Sequence, residues 1–491
     1  MKFYITTPIY YINAAPTIGS AYTTIAADVL ARWNRLNGNK VFYLTGLDEN
    51  SSKTLKAAER AGYKDIKKYM NYMAKKWKES WKKLNINYDG FIRTTENRHK
   101  KFVQDFFMKI YKNGDVYRNK YSGYYCDDCE AYLTESDLIE GKCPYHKIKP
   151  EFIEEDNFFF KLSKYQDKII GILKNEDFLK PESRRNEIIN FVESGLKDIS
   201  ISRQKAKCGI EVPIDKSMKM WCWFDALLNY ISGSEGNFPQ ELCLIGKDIT
   251  RFHSVFFTGF LLSAKYKLPK TIFAHGFLTI NGQKMSKSLG NVIDPLELVK
   301  KYHPDVIRYY LMRSIPFGDD GDFSEEALIK RNNTELADSL GNLLNRVVSM
   351  CDRYCDSKIP KAKEDKTLSS KLNFKKIDSY IENYELHNAL NDIFHFVDEC
   401  NKYINEKEPW NLAKNKKIDE LQSVLFNTAE ALRMISQLIY PFMPEASLKI
   451  EEQLGFKHRD IFDMKWGNAK SKGIKKGDNL FKKYETANKR K

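Results

Sequence analysis

The chain has 491 residues, of which 42% are hydrophobic and 13% aromatic. This composition excludes a disordered chain, which would be poor in aromatic and branched apolar residues, and the length is typical of about three domains. Lysine and arginine total 80 and aspartate and glutamate 65. The resulting net charge of +15 favours a polyanionic partner such as a nucleic acid, although a generally lysine-rich composition gives the same excess.

The cysteines and the N-terminus indicate where the protein works. Nine cysteines are spread unevenly, with three of them in one short stretch. This does not resemble a disulfide framework, and we expect a reducing, cytoplasmic compartment. The N-terminal sequence MKFYITTPIYYINAAP lacks the features of a secretory signal. The longest apolar runs, such as VFFTGFLL, are far shorter than the roughly 20 residues of a transmembrane helix, so no membrane segment is expected.

The first elements alternate between strand and helix. A strand is predicted from Phe3 to Ile12 and a second one from Val41 to Thr45. Between them, a helix is predicted from the spacing of Ile25, Val29, Leu30, Trp33 and Leu36. This order is typical of the start of a nucleotide-binding α/β sheet. The sequence contains neither GxGxxG nor GxxxxGK[ST], so it supports neither a dinucleotide-binding fold nor a P-loop enzyme.

The pattern changes twice further along the chain. From about residue 116 short aromatic strands surround closely spaced cysteines, and at about residue 198 the strands of the α/β domain resume, so we expect an insertion to split that domain. After about residue 325 the helical spacing of apolar residues predicts a bundle. The stretch that begins at Lys361 is predicted to be a solvated loop. The basic segment Lys465–Lys491 is predicted to be a frayed terminus, with RNA contact as the alternative.

A lysine-containing loop follows a predicted core strand. In the sequence QKMSKS, Lys284 and Lys287 place two ammonium groups three residues apart between flanking glycines. Two such cations can close over a nucleoside triphosphate and neutralise the charge that develops on departing pyrophosphate. A solvated loop is the more common explanation in a lysine-rich protein, but the position after a core strand favours phosphate binding.

A second motif has the spacing of a metal site. Cys126-x2-Cys129 is followed after thirteen residues by Cys143-x2-His146. Two paired knuckles supply the four ligands of a tetrahedral zinc ion, and the alternative is an incidental grouping of cysteine and histidine. The predicted role is structural because no ligand position is left open.

Ordered motifs along nearly the whole chain resemble those of the methionyl-tRNA synthetases, class I aminoacyl-tRNA synthetases, in their short bacterial or organellar form. They include TTPIYYIN, AYTTIAADVLARW, YSGYYCDDCEAYLTES, FVESGLKDISISR, WFDALLNYIS, KMSKSLGNVIDP and LADSLGNLLNRVVSM. The resemblance implies an α/β fold, in which a parallel nucleotide-binding sheet is split by a zinc-knuckle insertion and followed by an all-α anticodon-binding bundle. The implied regions are 1–115 and 198–275 (catalytic domain), 116–197 (insertion), 276–340 (signature loop and stem contact), 341–464 (anticodon bundle) and 465–491 (basic tail).

The same resemblance implies the activity of a methionine–tRNA ligase. Such an enzyme converts methionine and ATP to methionyl-adenylate and then transfers the methionyl group to tRNA(Met). This chemistry needs positioning and charge stabilisation at the α-phosphate. The implied cofactors are one structural Zn²⁺ and Mg²⁺ with ATP. We expect a monomer, because it is the longer relatives that carry an additional dimerising domain. We expect no membrane association.

The family's functional residues carry over to particular positions of this sequence. Asp48 matches the acid that pairs with the substrate ammonium, and its position after a strand agrees with that role. The other implied methionine contacts are Ile9, Tyr11, Trp223, Ala226, Tyr230 and His275. ATP binding is implied for Thr17, Gly19, Ser20, Lys284, Ser286 and Lys287, with catalytic roles for Thr17, Ser20, Lys284 and Lys287. Anticodon reading is implied for Asn342, Arg346 and Trp410; a surface ion pair and a core tryptophan are the alternatives.

Three stretches depart from the family pattern. The His-Ile/Leu-Gly-His signature is Thr17-Ile18-Gly19-Ser20, Asp-Glu-His-Gly-Gln is Asp48-Glu49-Asn50-Ser51-Ser52, and a Trp-Pro pair is Phe257-Thr258. Loss of one transition-state donor lowers a rate by on the order of 10²–10³, so we expect slow but measurable activation. The alternative is a weakened or non-enzymatic paralogue that binds tRNA. A synthetase for a different acceptor is a third hypothesis, which the intact anticodon residues disfavour.

Overall fold

The computed structural model describes residues 1–144, 147–280, 282–285, 291–458, 460–468 and 470–485. Its N-terminal part alternates strands and helices as the sequence predicts. The elements are β1 (Lys2–Tyr11), α1 (Ile18–Leu36), β2 (Lys40–Asp48), α2 (Ser52–Arg60), α3 (Ile66–Lys83), β3 (Gly90–Arg93) and α4 (Asn97–Lys112).

The middle of the chain contains short strands and helices. They are β4 (Val116–Cys126), β5 (Ala131–Leu133), β6 (Glu151–Phe160), α5 (Gln166–Leu173), β7 (Leu179–Lys180), α6 (Glu182–Glu193), β8 (Ile199–Ser200), β9 (Ser202–Arg203), β10 (Glu211–Val212), β11 (Asp215–Met220), α7 (Cys222–Leu227), α8 (Asn229–Ser232), β12 (Leu242–Gly246), α9 (Thr258–Ser263), β13 (Thr271–His275), β14 (Leu278–Ile280) and β15 (Gln283–Lys284). A π-helix over Phe252–Phe257 leads directly into α9.

The C-terminal part is mainly helical, as predicted. It comprises α10 (Pro295–Lys301), α11 (Pro304–Ser314), β16 (Gly321–Phe323), α12 (Glu325–Arg331), a π-helix (Asn332–Gly341), α13 (Asn342–Tyr354), α14 (Lys366–Ser369), α15 (Phe374–Glu382), α16 (Leu386–Lys407), α17 (Pro409–Lys414), α18 (Ile418–Ile439) and α19 (Pro444–Leu454).

The central sheet is parallel and confirms the predicted α/β class. Its six strands have the order β3-β2-β1-β12-β13-β7, so the strand order reverses between β1 and β12. In open parallel sheets the crevice beyond the carboxyl ends at such a reversal binds ligands. In this register Tyr11 lies opposite Asp48 and Gly246 opposite His275. The pairing therefore brings several predicted site residues to one edge of the sheet.

The insertion forms its own antiparallel sheet in the order β5-β4-β6-β8. The predicted boundary at residue 197 does not coincide with the division between the sheets. β7 pairs with β13 in the central sheet, whereas β8 extends the inserted sheet. Strands of two residues are too short to give a recognisable sequence pattern, and the domain limits as a whole stay a prediction.

Two segments predicted to be solvated are packed. The stretch from Lys361 contains α14 and the start of α15, and Leu368 in it is buried. The basic C-terminal segment also packs against the protein over residues 470–485, where three apolar side chains are buried: Ile474, Leu480 and Phe481. For the described residues both predictions were wrong, because single apolar residues among lysines show no periodicity, although these side chains belong to the buried core.

A buried arginine joins the sheet region to the bundle. The Arg308 guanidinium on α11 donates to Asp28 Oδ2 on α1 at 2.7 Å. It also donates to the carbonyl oxygens of Pro441 at 2.7 Å and Phe442 at 2.8 Å, in the turn between α18 and α19. Arg32 makes a second ion pair with Asp28 at 2.8 Å. In the part of the chain that the structure describes, none of the helices combines the length and apolar character needed to span a membrane.

Candidate functional site

Asp48 ends β2 at the ligand-binding edge of the sheet and is 2% exposed. Its carboxylate accepts hydrogen bonds from the Cys222 thiol at 3.1 Å and from the Asn50 N–H at 3.2 Å. Burial and, second, the neighbouring Asp225 carboxylate raise the pKa of Asp48 to about 8. Its charged form is therefore disfavoured until a cationic group approaches, and the ammonium of an amino acid is such a group.

A second buried acid, Asp225 on α7, holds the loop after Asp48 in place. Asn50 Nδ2 donates to Asp225 Oδ2 at 3.0 Å, and His99 Nε2 lies 3.1 Å from Asp225 Oδ1. His99 Nδ1 in turn lies 2.7 Å from the Ser232 hydroxyl. Asn50 stands where the family has histidine. It connects the two acidic residues, because its backbone N–H donates to Asp48 and its side-chain amide donates to Asp225. The sequence analysis did not single out Asp225 or His99, although Asp225 lies within the motif WFDALLNYIS.

Aromatic rings surround this acidic end. Trp223 stacks on Phe252 with 3.9 Å between ring centroids, and its indole N–H donates to the Cys129 carbonyl at 3.0 Å. Lys53 Nζ lies 4.0 Å from the centroid of the Tyr11 ring, a cation–π geometry. Ile9 is half-buried at the end of β1, and Ala226 is buried. The fold therefore places Tyr11 opposite Asp48, and Trp223 next to the Cys222 that donates to Asp48.

Tyr230 is held by a neutral histidine. Its hydroxyl lies 2.7 Å from His253 Nε2, and His253 Nδ1 lies 2.9 Å from the Ile249 carbonyl. A carbonyl only accepts, so Nδ1 carries the proton and the Tyr230 hydroxyl donates to Nε2. Burial lowers the pKa of His253 to about 4. Phe257, which replaces a family tryptophan, packs on the Tyr230 ring with centroids 5.7 Å apart.

His275 has the same tautomer at the end of β13. Its Nδ1 lies 2.8 Å from the Gly276 carbonyl and its Nε2 lies 2.7 Å from the Thr23 hydroxyl. Nδ1 therefore donates and Nε2 accepts from Thr23. Burial lowers the pKa of His275, so the imidazole is neutral at pH 7.

The two hydroxyls that replace the signature histidines cap α1. The Thr17 hydroxyl accepts from the Ser20 N–H at 3.3 Å, and the Ser20 hydroxyl accepts from the Thr17 N–H at 2.9 Å. This reciprocal pair is a capping box. The Ile18 N–H donates to the Ile293 carbonyl at 3.0 Å. Part of the helix N-terminus is thus already hydrogen-bonded within the chain.

The signature loop begins next to this helix end. A Cβ added at Gly19 would lie 3.1 Å from Met285 Cε, so Met285 packs against the first turn of α1. Gln283 and Lys284 form the short strand β15, paired with β14. The side chain of Lys284 and the whole of Ser286 and Lys287 lie outside the described residues. The described start of the loop therefore lies against Gly19.

The three cysteines of the knuckle converge. The Sγ atoms of Cys126, Cys129 and Cys143 all lie within 4.8 Å of one another, and Cys129 Sγ is 3.4 Å from Cys143 Sγ. The neighbouring Cys126 thiol, together with burial, raises the pKa of Cys129. Such a cluster fits a tetrahedral zinc ion with Zn–S bonds of about 2.3 Å. The predicted fourth ligand, His146, lies outside the described residues.

A separate groove in the bundle is lined by two of the three predicted anticodon residues. Asn342 and Arg346 on α13 line an open groove of about 600 Å³. The Arg346 guanidinium lies 5.7 Å from the Trp410 ring centroid and donates to Asn405 Oδ1 at 2.7 Å. Trp410 is 42% exposed, so it is not the core residue of the alternative reading. An exposed ring beside guanidinium and amide groups suits an unstacked base. The sequence analysis missed Asn405.

Comparisons with known proteins cover both regions. The chain matches the family model of class I tRNA synthetases (M) over residues 3–150 and 145–348, and that of the anticodon-binding domain of tRNA ligase over residues 365–489. It is 44% identical to the methionine–tRNA ligase of Thermotoga maritima, covering 99% of this chain and 81% of the relative. It is 43% identical to that of Caldanaerobacter subterraneus subsp. tengcongensis, covering 98% and 79%.

A solved structure is also similar to this chain over nearly its whole length. Mycobacterium tuberculosis methionyl-tRNA synthetase in complex with methionyl-adenylate has a TM-score of 0.94 to this chain at 36% identity, covering 98% of this chain and 100% of that one. The matches extend over the split parallel sheet and the helical bundle alike, and the buried acid, the aromatic walls and the start of the signature loop meet at one sheet edge. On these grounds the chain belongs to the methionine–tRNA ligase family of class I aminoacyl-tRNA synthetases.

Proposed function

We propose that this chain activates L-methionine with ATP and transfers the methionyl group to tRNA(Met). The observation that carries this proposal is the buried Asp48 carboxylate, surrounded by aromatic rings at the sheet edge where Met285 meets Gly19. The relatives named above are ligases, which gives no support to the non-enzymatic alternative.

In the first step the protein holds methionine by both ends. Asp48 pairs with the ammonium, while the rings of Tyr11 and Trp223 enclose the thioether chain, which is polarizable and suits aromatic contact. The remaining proposed contacts are Ile9, Ala226, Tyr230 and His275. The methionine carboxylate oxygen then bonds to the α-phosphorus of ATP, and the bond to the pyrophosphate oxygen breaks.

Charge stabilisation at the phosphates is proposed for the signature loop and the end of α1. Lys284, Ser286 and Lys287 receive the charge that moves onto pyrophosphate. When bound with ATP, Mg²⁺ supplies further neutralisation of the phosphate oxygens. Thr17 and Ser20 keep the first turn of α1 in place, so that Gly19 and the helix dipole face the phosphates. This arrangement has fewer cationic donors than the family signature, and slow activation follows from it.

In the second step a hydroxyl of the terminal tRNA ribose bonds to the methionyl carbonyl carbon, and AMP leaves. Asn342, Arg346 and Trp410 are proposed to read the anticodon, and the basic composition supports binding to the RNA backbone. A zinc ion held by Cys126, Cys129, Cys143 and His146 would fix the fold of the knuckle. We also propose a cytoplasmic location, supported by the nine cysteines, which all lie in the described part of the chain and form no disulfide. We further propose that the chain is a monomer. Sedimentation tests the monomer.

The proposal is tested by methionine-dependent ATP–pyrophosphate exchange, followed by tRNA charging. We expect measurable exchange that Asp48→Asn abolishes and that Asp105→Asn, at an exposed position on α4, leaves unchanged. Absence of exchange at high ATP in a chain that still binds tRNA would establish the non-enzymatic alternative.

A further inference from the structure

Glu130, the residue after Cys129 in the knuckle, has a buried carboxylate with an unusual number of donors. It is 4% exposed, and its backbone is left-handed with φ of +51°. Oε1 accepts from the Ser51 hydroxyl at 2.7 Å, the Ser52 hydroxyl at 2.7 Å and the Ser52 N–H at 2.9 Å. Oε2 accepts from the Tyr125 hydroxyl at 2.6 Å. Both oxygens are therefore engaged, mostly by residues far away in the sequence.

The two serines belong to the methionine side of the site. Ser51 is the N-cap of α2 and Ser52 its first residue, three and four positions after Asp48. They stand at two of the positions where this chain departs from the family pattern. The Glu130 carboxylate thus lies at the positive end of α2, where a negative charge is favourable. The contact fixes the loop between Asp48 and α2 against the knuckle.

The backbone of the same two knuckle residues holds the opposite side of the site. The Trp223 indole N–H donates to the Cys129 carbonyl at 3.0 Å, and the Trp221 indole N–H donates to the Glu130 carbonyl at 2.6 Å. These tryptophans flank Cys222, whose thiol donates to Asp48. The Cys129–Glu130 pair therefore contacts both segments that meet at the Asp48 carboxylate.

We propose that Glu130 is a positioning residue for methionine binding, which acts by holding the Asp48 loop through Ser51 and Ser52. This inference rests on the proposed function and names Glu130 as a residue that determines the affinity of the protein for methionine. A buried carboxylate that loses a donor is left under-satisfied, so the four contacts specify one loop position strongly. Displacing the loop moves the Asp48 carboxylate away from the ammonium, while the signature loop and the end of α1 remain unaffected.

The test compares variants of the full-length, metal-loaded protein. Calorimetry without ATP gives the Kd of methionine, and pyrophosphate exchange gives the KM values and kcat. For Ser51→Ala combined with Ser52→Ala we expect Kd and KM for methionine to rise about tenfold, the effect of losing hydrogen bonds to a charged group. KM for ATP and kcat should change less than about twofold. Ser52→Thr keeps the hydroxyl and should behave like the unchanged chain.

Glu130→Gln should raise the methionine Kd similarly. Adding Ser51→Ala and Ser52→Ala to this variant should raise the Kd little further, because the three residues act through the same group of hydrogen bonds. Glu154→Gln, at an exposed glutamate of the same inserted sheet, is the matched control. Zinc content and melting temperature identify variants that merely misfold. If Glu130→Gln misfolds, the single Ser52→Ala variant still tests the inference. Unchanged methionine affinity in the serine variants, or fully additive effects, would overturn the inference alone. An unchanged chain that binds no methionine would overturn the proposed function and this inference together.

Discussion

Ser20→Ala should lower the stability of this protein without lowering its rate of methionine activation. The Ser20 hydroxyl accepts from the Thr17 N–H at 2.9 Å and donates to the Thr17 carbonyl at 2.8 Å. Both hydrogen bonds cap the N-terminus of α1. Loss of a capping side chain costs about 1 kcal/mol. For a cooperative unit of 491 residues, that corresponds to a decrease of about 1 °C in melting temperature.

The assay is pyrophosphate exchange at saturating methionine, beside a calorimetric melt. Exchange should stay within about twofold of the unchanged chain, whereas loss of a transition-state donor would lower it by on the order of 10²–10³. Asn373→Ala is the control, because the Asn373 side chain caps α15 in the helical bundle by accepting from the Lys376 N–H. A hundredfold slower exchange with an unchanged melting temperature would refute the capping explanation and make Ser20 a phosphate ligand.

The reverse substitution tests the same site from the other side. Thr17→His together with Ser20→His removes the capping box and restores two imidazoles. We expect faster exchange and lower stability if the surrounding site has kept the family geometry. A double variant slower than the unchanged chain would show that the site has been rebuilt around its hydroxyls.

The other predictions concern the substrate acid, the anticodon groove and the knuckle. Burial and Asp225 raise the pKa of Asp48 to about 8. Without ligand, the folded chain therefore keeps a proton on Asp48 that the unfolded chain loses at about pH 4. The contribution of Asp48 to the free energy of unfolding thus falls as the pH rises from about 4 to 8. Methionine binding at pH 7 should therefore release a proton, measurable by calorimetry in buffers of different ionisation enthalpy; binding without release would contradict the assignment. Trp410→Ala should lower tRNA charging and leave exchange nearly unchanged, since the ring is exposed, and equal loss of both activities would mean a folding role. Metal analysis should find one zinc per chain, and Cys129→Ala should remove it and destabilise the insertion; a zinc-free preparation whose fold resists chelation would count against the site.

The sequence predicted the features that depend on long local patterns. The strands that carry Tyr11 and Asp48 are long, apolar and aromatic, and the helix after the first strand has clear spacing, so the sheet and its ligand-binding edge could be inferred. The knuckle cysteines were found because their spacing is itself the signal. The fold class was confirmed for these reasons.

What the sequence did not predict depends on contacts between distant segments. Glu130 and Ser51 are separated by 79 positions, and nothing in either local pattern indicates that they meet. The same holds for Asp225 and His99, which join two elements across the site. The capping role of Thr17 and Ser20 has a local signature, but the same positions match a catalytic motif of the family, which predicts phosphate binding instead.

The buried guanidinium of Arg308 bears on how the molecule can be divided. Its partners lie on α1 and in the turn between α18 and α19. Separating these regions would therefore leave a buried charge without its partner. Breaking a buried ion pair by removing one partner is destabilising by about 3–5 kcal/mol. The two regions should therefore melt in a single transition, and fragments that carry only one of them should be insoluble or unfolded when expressed separately.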